Sequence, residues 1–117
     1  MHLHEIENPV AAVFQVDGRL DAASTPELER RVLTSLDRGV RHLVMDFTNL
    51  EYINSAGLRV LVLSYQRLTP RGGKVMICGV RDYIAEIFDI SGYNRIFCMF
   101  ADMAGALREI GPRPDER

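Results

Sequence analysis

The order of the hydrophobic patterns constrains this chain most. Short apolar, β-branched runs alternate with segments whose apolar residues recur at helical spacing, and few residues separate them. A strand, a helix and a second strand on short links fold as a right-handed crossover onto a mostly parallel sheet. The beginning of the chain breaks that rhythm. His2 to Ile6 alternates, Asn8-Pro9 interrupts it, and Val10 to Val16 is dense in apolar residues before Asp17-Gly18 marks a turn. Two strands so close in sequence are expected to pair as an antiparallel hairpin.

The remaining elements follow from local signals. Ser24-Thr25-Pro26-Glu27 opens a helix with a hydroxyl cap, a first-turn proline and an acid. Leu28, Val32, Leu33 and Leu36 give that helix its stripe, and Gly39 ends it. Within Val40 to Phe47, the compact run His42–Phe47 reads as a buried parallel strand, and Thr48 to Asn54 as a loop. A second helix is expected from Ser55 to Thr69, with Leu58, Leu61, Val62, Tyr65 and Leu68 toward the core. Lys74–Cys78 is a strand, Asp82–Ser91 a helix closed by Gly92, and Arg95–Phe100 a last strand. Asp102 caps a final helix through Ile110. The prediction is a single α/β domain over residues 1–110. Its mostly parallel sheet has about five strands with an antiparallel N-terminal edge, alongside about four helices. Residues 111–117, polar and carrying Pro112 and Pro114, read as a loose tail.

Composition removes several functional classes. With 117 residues the chain is one domain's length. Fourteen basic against sixteen acidic residues leave a net charge of -2. That balance argues against nucleic acid held by bulk charge and against attraction to anionic membranes. No apolar run approaches the roughly twenty residues of a membrane span, and Met1-His2-Leu3-His4-Glu5 has no signal-peptide pattern. Cys78 and Cys98 lie in apolar surroundings and read as reduced thiols of a cytoplasmic protein.

Standard catalytic patterns are missing from the sequence. The histidines, His2, His4 and His42, have no zinc-site spacing. Gly72-Gly73-Lys74 ends like a phosphate-binding loop, but Leu68 and Val75 stand where that motif needs glycine and a hydroxyl residue. Ser55 has Ile53 and Gly57 around it, which is not a nucleophile elbow. No metal, cofactor or catalytic pair is expected.

One segment, Tyr52-Ile53-Asn54-Ser55-Ala56-Gly57-Leu58, has specific physics. Ser55 stands where a helix begins, and small Ala56 and Gly57 let a large group approach its hydroxyl. Free N–H groups and the positive end of the helix dipole favour a phosphate there; an ordinary serine N-cap would use the same residue. Val60 and Leu63 are expected on the opposite side from the core, near Arg59 and Arg67. An outward apolar and basic patch beside Ser55 would suit a partner.

These pieces together resemble the STAS domain of anti-sigma factor antagonists. The matching residues are Gly18-Arg19-Leu20-Asp21, Leu43-Val44-Met45-Asp46-Phe47 and Tyr52 through Leu61. Gly72-Gly73-Lys74, Ile90-Ser91-Gly92-Tyr93 and the Asp102 to Leu107 helix also match. The resemblance implies a partner switch. Its unphosphorylated form would bind an anti-sigma factor that is itself a serine kinase, and so release a sigma factor. Phosphorylation at Ser55 would reverse binding, and a metal-dependent serine phosphatase would restore it. The chain would then be a substrate and ligand rather than an enzyme, acting as a monomer or weak dimer. Asp21, Asp46, Asn54, Ala56 and Gly57 would support the site, with Leu58, Arg59, Val60, Leu63 and Arg67 meeting the partner. The family commonly has Asp before the serine, where this chain has Asn54. Two other readings use the same residues. One is a scaffold or accessory subunit of a transport or stressosome-like complex, with no phosphate on Ser55. The other is a small nucleotide-binding or phosphotransfer enzyme.

Overall fold

The computed structural model describes residues 1–110; the expected tail, 111–117, lies outside the described residues. The strands are β1 (His2–Ile6), β2 (Ala11–Leu20), β3 (His42–Asp46), β4 (Leu50–Ile53), β5 (Val75–Cys78) and β6 (Cys98–Phe100). The helices are α1 (Thr25–Asp37), α2 (Ser55–Leu68), α3 (Asp82–Ser91) and α4 (Met103–Ile110). The sheet runs β1-β2-β3-β5-β6, with β4 added beside β2. Among the described residues only the β1–β2 pair is antiparallel; Leu3 faces Val16 and Ile6 faces Val13. The turn between them is closed by Asn8, whose Oδ1 accepts from the N–H groups of Val10 and Ala11. The α/β architecture, the antiparallel edge and the four helices match the reading from sequence.

The second strand is longer than that reading. Asp17-Gly18 does not end β2. Gly18 takes φ +92° and the pairing register shifts between Gly18 and Arg19, so the strand bends and continues to Leu20. Only glycine enters that backbone region cheaply, which is why a turn-like dipeptide can sit inside a strand as a bulge. Before the bend β2 pairs with β3; after it, Arg19 and Leu20 pair with Tyr52 and Ile53 of β4. The segment read as a loop, Thr48 to Asn54, therefore contains a sixth strand. Its four residues are too few for a clear alternation, and its partner lies about thirty positions away in sequence.

Two unequal cores flank the sheet. The larger joins Phe14, Leu43, Met45 and Ile77 of the sheet to Leu28, Val32 and Leu36 of α1, Leu61 and Leu68 of α2, and Ile84 and Phe88 of α3. The smaller places Val13, Val44, Met76 and Cys78 against Ala106 of α4. Burying each large apolar side chain contributes about 1.5–3 kcal/mol against its exposed state, so the three-helix face carries most of the stability. Burial pushes the Cys78 thiol up to about 12, an inert core thiol at neutral pH.

Helix α2 is rotated from its expected position. Its buried members are Gly57, Leu58, Val60, Leu61, Ser64 and Leu68, while Val62 and Tyr65 are only half-buried. The true stripe, 57-60/61-64-68, has ordinary helical spacing, but a glycine and a serine occupy two of its positions. Ser64 tolerates burial because its hydroxyl donates to the Val60 carbonyl at 2.8 Å. Val60, expected on the outward patch, is 2% exposed and belongs to the core. Leu58, expected both in the core stripe and at the partner surface, is 9% exposed and packs into the same core.

At the edge of the smaller core, His42 Nδ1 accepts the Lys74 N–H at 3.0 Å, and Lys74 Nζ reaches Glu109 of α4 at 2.8 Å. Burial, followed by the charges of Arg41 and Lys74, holds the His42 pKa below its ordinary value near 6.5; Glu109 opposes them. A protonated Nδ1 would lose its acceptor role as well. Folding therefore favours neutral His42, so its contribution is complete above the unfolded pKa and is lost as pH falls through the folded one. Urea midpoints should fall from pH 7.5 to 5.5 more steeply in the wild type than in His42→Gln, which keeps an acceptor and cannot titrate. Equal slopes would refute this assignment.

Candidate functional site

Three chain segments meet at the N-terminal end of α2. The end of β4 delivers Asn54, whose N–H donates to the Leu20 carbonyl at the end of β2 (3.1 Å). The side chain of Asn54 is the cap of α2: its Oδ1 accepts from Ala56 N–H at 3.1 Å and Gly57 N–H at 3.3 Å. Both donors would otherwise be orphans of the first turn. Ser55 is therefore the first helical residue and not the cap, and its side chain stands exposed. Asn54 performs the cap with one amide oxygen, as an aspartate would with a carboxylate oxygen, but brings no charge beside the serine.

Gly57 has a steric reason to be glycine. A Cβ there would lie 2.8 Å from Ile53 Cγ1 and 3.2 Å from Leu20 Cβ. The first turn of α2 is pressed directly onto the ends of β4 and β2, which fixes the direction in which Ser55 points. Ala56 is half-buried beside it.

The two aspartates separate. Asp21 follows β2 and organises the turn into α1: its Oδ1 accepts from Ala23 N–H, Ser24 N–H and Ser24 Oγ, each at 3.1 Å. The backbone and hydroxyl of Ser24 hold its carboxyl below the ordinary carboxylate value, with Arg19 helping at 3.8 Å. Asp21 thus borders the site through the β2 end it shares with Asn54. Asp46 does not. It pairs in register with Gln15, five residues back from Leu20 along β2 and on the far side of the bend at Gly18. Its Oδ1 is taken by the N–H and hydroxyl of Thr48. The resemblance placed Asp46 at the site because it ends a strand, but β3 ends well short of where the bent β2 leads.

Around the edge, Arg19 stacks its guanidinium 4.1 Å over the Tyr52 ring, and Tyr83 of α3 donates to the Glu51 carbonyl at 2.6 Å. On α2, Arg59 is exposed and Leu63 half-buried, while Arg67 is engaged with Asp37 of α1 at 2.7 Å. Reading the sequence missed Ala22, Pro26, Arg30 and Leu33, which face Ala56 and Arg59 across a groove. Only the small residues at 22 and 56 could have signalled that opening. Among the described residues, no group of three His, Cys, Asp or Glu side chains could hold a metal ion, and no helix is long and apolar enough to cross a membrane.

Residues 3–106 match the family model of the STAS domain. This chain belongs to the STAS family. Among its relatives, BtrV of Bordetella bronchiseptica, named as an anti-sigma factor antagonist, is 34% identical over 81% of this chain and 80% of its own length. The anti-sigma-B factor antagonist of Staphylococcus aureus is 32% identical over 67% of this chain and 72% of its own. In fold, the STAS domain is similar to the Bacillus anti-sigma factor antagonist SpoIIAA. The unphosphorylated form aligns with a TM-score of 0.83 at 16% identity, covering 93% of this chain and 96% of that one. The phosphorylated form aligns at 0.76 and 17%, covering 93% and 99%.

Proposed function

We propose that this STAS domain is an anti-sigma factor antagonist whose binding is reversed by a phosphate on Ser55. One observation carries the reading: Asn54 caps α2, so the exposed Ser55 hydroxyl is released from any capping role at the positive end of a 14-residue helix. The curated relatives, both named as anti-sigma factor antagonists, support the same role over that of a transport accessory. The unphosphorylated form binds an anti-sigma factor with serine kinase activity and frees a sigma factor. Phosphate transfer to Ser55 ends that binding, and a metal-dependent serine phosphatase restores it. The chain serves as ligand and substrate in the cytoplasm, as a monomer or weak dimer, and turns over no reaction itself. Asp21, Asn54, Ala56 and Gly57 build the site, and Leu58, Arg59, Leu63 and Arg67 lie on the helix that presents it.

Phosphorylation adds about -1.5 to -2 charge and three acceptor oxygens at one helix end. The chain's charge of -2 roughly doubles, with the whole of the increment at one point. Intact mass of the protein recovered from cells with and without its kinase is the direct test. A phosphate present in the wild type and lost in Ser55→Ala supports the switch. Its absence under every condition would leave the scaffold reading.

A further inference from the structure

Beside Ser55, α1 and α2 leave a groove of about 370 Å³. Ala22, Pro26, Arg30 and Leu33 line one side, and Ala56 and Arg59 the other. Small Ala22 and Ala56 hold the mouth open, between the N-terminal ends of both helices. Farther along the pair, Arg67 and Asp37 bridge α2 to α1 at 2.7 Å. Two guanidinium groups face the groove against one carboxylate, that of Glu29. Its charge and its apolar walls together specify what fits.

We propose that this groove receives an acidic and apolar segment of the anti-sigma factor. An aliphatic side chain sits between Pro26, Leu33 and Ala56, and a neighbouring carboxylate pairs with Arg59. This rests on the proposed function and deepens it by naming the contact. It also gives the phosphate a second way to act. At 100° per residue, Arg59 lies about 40° around α2 from Ser55 and about 60° from Ala56, so it stands between the serine and the groove. A phosphate at position 55 is an i, i+4 partner for Arg59, and with nearly two charges it outcompetes a single carboxylate. Phosphorylation thus withdraws from the groove the cation that the partner needs.

Photo-crosslinking tests this in the native cell, with Leu33→p-benzoylphenylalanine in the groove and Leu107→p-benzoylphenylalanine on α4 as a control. If melting shows that the Leu33 variant does not fold, exposed Ala22 takes its place. The groove probe should capture an ATP-dependent serine kinase through a peptide holding Asp or Glu next to an aliphatic residue; the control should not. Against the captured kinase, Arg59→Gln should bind about tenfold more weakly, and phosphoserine at 55 should then have a smaller effect than in the wild type. No groove capture, capture of a second copy of this chain, or Arg59→Gln affinity within about twofold of wild type would each overturn the groove. A kinase that still responds to Ser55 phosphate without entering the groove leaves the switch standing. A chain that never carries phosphate but still docks there removes the switch and keeps the groove.

Discussion

Phosphate on Ser55 is expected to weaken binding of the anti-sigma factor by about a thousandfold while leaving the fold and melting temperature nearly unchanged. The two halves of that expectation have separate causes. A thousandfold is about 4 kcal/mol, the scale of an interfacial charge buried without its partner. The fold is spared because Ser55 is exposed and Asn54 has already satisfied the first-turn N–H groups. A negative group at this end of α2 interacts favourably with its dipole, by about 0.3–1 kcal/mol. Titration calorimetry and thermal melting on protein carrying phosphoserine at 55 measure both. Ser55→Asp, with a single charge and less bulk, should lose at least about tenfold; Ser55→Ala should bind like the wild type. Undiminished binding of the phosphoserine protein, or a collapse of its melting temperature, would sink the mechanism.

The second large effect lies at Gly73, far from the switch. A Cβ at this position would run into the carbonyl oxygen of Arg41 and lie 3.2 Å from the Leu68 carbonyl oxygen. Both obstacles are backbone, so neither can rotate away. The close approach is held by two bonds: Gly73 N–H to the Leu68 carbonyl and Leu43 N–H to the Lys74 carbonyl, each at 3.0 Å. Gly73→Ala should cost about 3 kcal/mol or more, lowering the melting temperature by roughly 10–20 °C for a domain of this size. Gly72 next to it is a contrast. It sits at φ +72°, and its Cβ would meet only the flexible tip of Arg41 at 3.4 Å. Gly72→Ala should cost about 1–2 kcal/mol, the ordinary left-handed penalty. Thermal melts of the two variants decide it; Gly72→Ala proving the more damaging would contradict the packing argument.

The Gly72-Gly73-Lys74 motif shows how far local sequence reaches. Its failure as a phosphate loop was visible in Leu68 and Val75. That Gly73 makes room for the entry to β3 was not visible, because Arg41 is thirty-two positions away. Val60 and Ser64 make the same point. A stripe built only from large apolar residues put Val60 outside, whereas the packed helix buries it together with a glycine and a hydrogen-bonded serine. Asn54 was read as a departure from aspartate beside the serine. The structure makes it the cap, a role that either residue can fill.

The sequence by itself determined the alternation of strands and helices, the antiparallel edge, the start of α2 at Ser55 and the absence of standard catalytic patterns. Those features are written in windows of a few residues, as periodicity, cap chemistry and charge. Only the tertiary structure decided that β2 bends at Gly18 to recruit β4, that Asp21 borders the switch while Asp46 stands away from it, and that α1 and α2 leave a groove at Arg59. Each of these depends on a partner about thirty positions away, and burial or register at one residue is set by whichever segment the fold brings against it.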